Sequence, residues 1–207
     1  MALTYAQLVT AITETTENYE DTFYLNIPTF IRQAEQRIYI DAEIPATRRS
    51  ANSTCSASNP YVSVPSGFLS PLSIALVQSN VYTFLLNKDP TFIREAFPNS
   101  TTTGTPQFYS LMDETRFILG PTPSANYSLE IQYMGFPNSI VDTGTSWLGN
   151  NFETVLLYGA LINAYIFMKG EADVLKMYQE RYGEAILQMK KVAQQAYADE
   201  YRNGLKA

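Results

Sequence analysis

The sequence predicts an α+β fold: a discontinuous four-helix bundle, with two N-terminal and two C-terminal helices, interrupted by an inserted antiparallel β domain. Three observations carry this. Residues 4–17 and 26–44 show apolar spacing of three and four with a polar, aromatic link at 18–25, residues 61–134 alternate strand-like runs with turn residues, and the chain from Asn150 onward returns to helical periodicity. The expected division is 1–49 with 150–207 for the helical part and 50–149 for the insert.

Helix one is opened by Thr4-x-x-Gln7, a capping box, and runs to about Glu17 with Leu8, Ala11 and Ile12 inward. Helix two is expected from Asn26, with Pro28 in its first turn and Ile27, Phe30, Ile31, Ala34 and Ile38 on its apolar face. Pro45 ends it. Residues 50–60, rich in Ser, Asn and Thr, read as a loop. Strands follow at 61–64, 72–78 and 81–86. Asp89-Pro90 opens a short helix to Phe97, and 98–106 is an exposed loop. Strands return at 107–111, 116–119 and 127–134, the last placing Leu129, Ile131 and Tyr133 on one face. Residues 135–149 are a long connection. Helix three, near Asn151, is apolar on nearly all sides and predicts a central element. Gly170 breaks it, and helix four runs to about Arg202.

Helix four carries Leu175, Tyr178, Tyr182, Ala185, Met189, Val192 and Ala196 at alternating steps of three and four, the pattern of a heptad seam. A seam needs a second helix, in the same chain or in another copy. Tyrosine offers large contact area with a polar tip, so Tyr178 and Tyr182 are expected at a subunit interface. The last turns combine Tyr197, Tyr201, Arg202 and Leu205 with no evident core role, which predicts an arm that orders on a partner.

The chain has 207 residues and a net charge of −6. Residues 1–50 carry 4 basic and 7 acidic side chains, 51–148 carry 3 and 6, and 149–207 carry 7 and 7. No basic stripe lines up to neutralise phosphates, which argues against tight nucleic-acid binding. An acidic wall would instead let DNA slide past. There is no histidine, which removes the commonest general base and zinc ligand, and Cys55, the lone cysteine, has no partner for an internal disulfide. The expectation is no catalytic residue, no metal and no cofactor. The opening residues show no basic segment followed by an apolar one, so no signal peptide is expected. The longest apolar run, Val155 to Met168, is too short to span a bilayer, so no membrane partner is expected.

One segment resembles a catalytic motif. Ile140-Val141-Asp142-Thr143-Gly144-Thr145-Ser146 is similar to the active-site segment of pepsin-type aspartic proteases, where an Asp at a tight turn shares a proton with a second Asp. One copy per chain would require a homodimer built around Asp142. Asp-Thr-Gly also suits any turn, and the helical context departs from that all-strand family. Glu14, Glu17, Glu20 and Asp21 form an acidic run, Asp113-Glu114 a hairpin turn, and Arg48-Arg49 a pair of ion-pair partners or interface anchors.

A broader resemblance covers most of the chain. It is carried by Tyr5-x-x-Leu8-x-x-x-Ile12 and by Ile27-Pro28-x-Phe30-Ile31-x-x-Ala34-Glu35-x-Arg37-Ile38. In the middle stand Val64-Pro65-x-Gly67-Phe68, Gly104-Thr105-Pro106-x-x-Tyr109, Leu119-Gly120-Pro121-x-Pro123 and Tyr127-x-Leu129-x-Ile131-x-Tyr133. Ser146-Trp147-Leu148, Leu156-Leu157-Tyr158-Gly159-Ala160-Leu161-x-x-Ala164 and Tyr178-x-x-x-Tyr182-x-x-Ala185 follow. In this order the pieces resemble the head-to-tail adaptor (connector) proteins of tailed bacteriophages, especially the short-tailed ones. The resemblance implies a virion protein made in the bacterial host cytoplasm. It implies a homo-oligomeric ring, expected to be a dodecamer, docked between portal protein and tail or nozzle protein. DNA would pass through without tight binding during ejection. Tyr197, Tyr201, Arg202 and Leu205 would then dock on the portal, and Arg48, Arg49, Tyr178 and Tyr182 would meet neighbouring subunits. A tail-completion or carbohydrate-binding module is the other structural alternative.

Overall fold

The thirty-three-residue helix that ends the fold, and the fifteen-residue apolar helix before it, organise everything else in the helical unit. The computed structural model describes residues 3–42, 47–99 and 101–204. The chain divides into two compact units, Met1–Thr47 with Pro137–Ala207, and Arg48–Phe136. The class is α+β.

In the helical unit, α1 (Tyr5–Thr16) starts at the capping box. Thr4 Oγ1 accepts from Gln7 N at 3.3 Å, and Gln7 Oε1 accepts from Thr4 N at 2.9 Å. α2 (Asp21–Asp41) begins five residues earlier than Asn26, which leaves Pro28 inside the helix. The early start buries Phe23, whose ring meets Phe30 at 5.8 Å and Phe167 at 6.3 Å, and this packing offsets the hydrogen bond that Pro28 cannot donate. After the β unit come two short helices, α4 (Ile140–Thr143) and α5 (Trp147–Asn151), within the stretch expected as bare connection. α6 (Glu153–Phe167) touches α1, α2, α5 and α7 (Ala172–Gly204). Its all-round apolar surface is what lets it serve four neighbours. Gly159 marks its closest approach to α2. A Cβ there would sit 3.1 Å from that of Ala34.

The β unit opens with a strand that composition concealed. β1 (Arg48–Cys55) pairs antiparallel with β10 (Tyr127–Gly135) along its whole length. Its Ser and Asn residues favour turns over strands, and the ladder to β10 overrides that preference. The first four-stranded sheet has the order β1-β10-β3-β4, with β3 at Phe68–Gln78 and β4 at Val81–Phe84. The second is β2-β8-β7-β5, with β2 at Tyr61–Ser63, β5 at Leu86–Asn87, β7 at Phe108–Asp113 and β8 at Arg116–Gly120. α3 (Pro90–Ala96) is capped by Asp89. The long ladders are antiparallel. β5–β7 and the pair β6 (Thr103–Gly104) with β9 (Thr122–Pro123) are two-residue parallel contacts, made where the chain returns along a path it has already taken. Leu76, Leu129 and Ile131 of the first sheet and Val62, Phe117 and Leu119 of the second form one core.

Candidate functional site

Two side chains of α2 hold the connection that leads into α6. Arg32 and Glu35 lie three residues apart, hence on one side of the helix. Glu35 is only 3% exposed, and its carboxylate accepts from Ile140 N at 2.9 Å, at the start of α4. Burial pushes this carboxyl up from its ordinary value, while hydrogen bonds from Ile140 N and the Ser139 side chain pull it back. Ser139 Oγ also caps α4 by accepting from Val141 N at 3.1 Å. Arg32 Nη2 reaches Asp142 Oδ1 at 2.7 Å, with both side chains more than half exposed. Gly144, at φ +77°, stops α4 in the left-handed region that glycine tolerates. Leu3 N donates to Gly149 O at 3.0 Å and Tyr5 N to Gly144 O at 2.9 Å, so the N-terminus is tied to the same segment.

This geometry gives Asp142-Thr143-Gly144 a structural account. The aspartate sits on a short helix and faces an arginine. The aspartic-protease chemistry needs it at a strand turn facing a second carboxylate. Among the described residues, no group of three or more Cys, Asp or Glu side chains is arranged to hold a metal ion. No helix among the described residues is long and apolar enough to cross a membrane.

The seam of α7 packs inside the chain. Tyr182 is 4% exposed, and its hydroxyl donates to Asp41 Oδ2 at 3.1 Å. The Arg37 guanidinium lies 4.7 Å from its ring centre. Burial, then the Asp41 carboxylate, pushes the Tyr182 hydroxyl well above its ordinary value, with Arg37 opposing. Tyr178 is also buried and packs against Tyr158 and, edge-on, Tyr165. Both rings, expected at a subunit interface, are thus core residues of the chain's own helical unit. The phase of the seam differs as well. Tyr178, Tyr182, Ala185 and Met189 are buried as expected, but Val192 is 52% exposed, and Ile186 and Ala193 are buried instead. A straight helix has 3.6 residues per turn, so its inward stripe drifts off a strict heptad within two repeats.

Tyr197, Tyr201 and Arg202 lie in the last turns of α7, beyond its described side chains, and Leu205 lies outside the described residues. In the β unit, Arg49 Nη1 donates to Phe136 O at 2.9 Å, closing β1 onto the segment after β10, while Arg48 is exposed beside it. Asp113 accepts from Thr115 and Arg116 side chains in the β7–β8 turn, which holds its carboxyl below the usual carboxylate range. Cys55 is buried, and burial pushes its thiol up. Glu35 is the residue that sequence reasoning gave no role. Its signal was a carboxylate set between Ala34 and Ile38 in an otherwise apolar stripe.

The protein-family comparison finds a model described as SU10 adaptor protein that matches residues 3–205. No curated protein matches the chain.

Proposed function

Because the chain belongs to the SU10 adaptor protein family, its work is structural, in a phage particle, and we propose that it does this work as a ring joining portal to tail. The single observation that carries the reading is that the family match runs through both helical segments and the β insert alike. In this reading twelve copies close through their helical units, α7 reaches toward the portal with Tyr197, Tyr201, Arg202 and Leu205, and the β unit meets the tail or nozzle protein. Arg48 and Arg49 contribute to contacts between copies. Ring closure makes individually weak contacts act together, which suits a joint that must hold pressurised DNA. The net charge of −6 supports passage of DNA without tight binding.

The mechanism is assembly, with no bond made or broken. The test mixes the full chain with portal rings from its phage and follows co-sedimentation and ring images. The expected result is stoichiometric rings on the portal, lost when residues 197–207 are removed. Equal binding by the shortened chain would remove the portal-docking role of that segment. A full chain that ignores both portal and tail protein would overturn the ring reading itself.

A further inference from the structure

The helical unit carries two surface patches of opposite character that one chain cannot bring together. The first lies on the outer face of α2. Asp21 and Leu25 are one turn apart and exposed, Leu25 at 76%. Residues 1–31 hold four acidic side chains and no basic one, and all four (Glu14, Glu17, Glu20, Asp21) are exposed. The second lies on the outer face of α7. Leu187 and Lys191 are also one turn apart and exposed, Leu187 at 59%, with Lys190 beside them. No acidic residue occurs between Glu184 and Asp199. None of these carboxylates or ammonium groups has an ion-pair partner among the described residues.

The patches sit at opposite ends of α6. Phe23, next to the acidic patch, packs on Phe167 at its C-terminal end. Ala185 and Gln188, next to the basic patch, line a groove with Asn151, Glu153 and Val155 at its N-terminal end. The length of α6 puts about 20 Å between them. Each patch sets an apolar anchor one turn from a charge, Leu25 from Asp21 and Leu187 from Lys191, and Glu184, a turn earlier on the same face of α7, is paired with Arg181. The complement of each is therefore present on the other, and reachable only in a second copy.

We propose that the α2 patch of one copy seats on the α7 patch of the next, with Leu25 against Leu187 and Asp21 against Lys191. The contact joins different surfaces of identical chains, so it is head-to-tail, the class that closes into rings or runs on as filaments. The assignment rests on the ring reading above and names the surface by which copies meet. Opposite charges at the edge of an apolar contact speed encounter and fix register, and like charges there oppose it.

Two experiments on the full chain test it. Leu25→Cys with Leu187→Cys in one chain should give, on oxidation, a ladder of covalent oligomers. Either substitution alone should stop at dimers, and the native Cys55 is buried. Charge reversal provides the second test. Glu20→Lys with Asp21→Lys, or Lys190→Glu with Lys191→Glu, should each weaken self-association by roughly tenfold or more, measured by sedimentation velocity. An equal mixture of the two variants should recover it, because every contact then joins opposite signs again. Rings that form normally on portal with no ladder and with both reversed variants would overturn this surface and leave the ring reading standing. A wild-type chain that neither self-associates nor forms rings on portal would overturn both.

Discussion

Replacing Glu35 by alanine tests whether one buried carboxylate holds the entry to the central helix. In the folded chain Glu35 Oε1 accepts from Ile140 N at 2.9 Å, and Ile140 is fully buried, so water cannot replace the lost acceptor. An orphaned buried N–H costs about 1–3 kcal/mol, and truncation to alanine adds a small void. Relief of carboxylate desolvation works the other way, since burial pushes this carboxyl up from its ordinary value. The expected net loss is about 2 kcal/mol, which for a chain of this size lowers Tm by about 4–8 °C. Trp147, the only tryptophan, lies in α5 with its ring 5.2 Å from Phe152, so its emission reports directly on the held segment. Glu35→Gln keeps an oxygen acceptor and should cost less than about 1 kcal/mol at neutral pH.

The same residue predicts a pH dependence. With the folded carboxyl raised above its unfolded value, the native state binds more protons between the two values. Stability from this group is full below the unfolded value and is lost as pH rises through the folded one. Glu35→Gln removes that slope. A Glu35→Ala chain that unfolds at the wild-type midpoint with unchanged Trp147 emission would refute the reasoning, as would an unchanged pH slope in Glu35→Gln.

Three further outcomes follow from the packing. Met189→Ala should cost about 2–5 kcal/mol by urea unfolding, while Val192→Ala stays within about 0.5 kcal/mol, because the first side chain is fully buried and the second is half exposed; equal costs would restore the strict heptad. Gly159→Leu should cost about 1–3 kcal/mol, since a Cβ placed there would lie only 3.1 Å from Ala34 and 3.5 Å from the Tyr182 ring; calorimetry checks this. Asp142→Asn should change stability by less than about 1 kcal/mol, because its pair with Arg32 is exposed. Neither it nor the wild type should cleave an unfolded protein at acid pH, and cleavage by the wild type alone would revive the protease chemistry.

Several features of the fold were written locally. The Thr4–Gln7 capping box, the Asp89-Pro90 helix start, the alternation of Leu129, Ile131 and Tyr133, and the break at Gly170 each depend on residues within a turn or two of one another. The all-round apolar character of α6 likewise announced a central helix. The strand at β1 was not legible, because its composition is that of a loop and its ladder partner lies some eighty residues away. The early start of α2 depended on Phe167, and the fate of the α7 tyrosines on Asp41, Tyr158 and Tyr165.

The candidate site divides in the same way. The acidic N-terminal run and the Lys190-Lys191 pair were visible as charges, but their separation along α6 came from the packed helices. By itself the sequence determined the class, the placing of a strand-rich insert between helical segments and the absence of histidine chemistry, since these follow from periodicity, capping and composition. Only the tertiary structure decided that Tyr178 and Tyr182 face inward, that Glu35 grips Ile140 and that Asp142 answers to Arg32. Those choices turn on partners in other elements, more than a hundred residues off for Tyr182, Glu35 and Asp142, and no local pattern encodes which surface a side chain will meet.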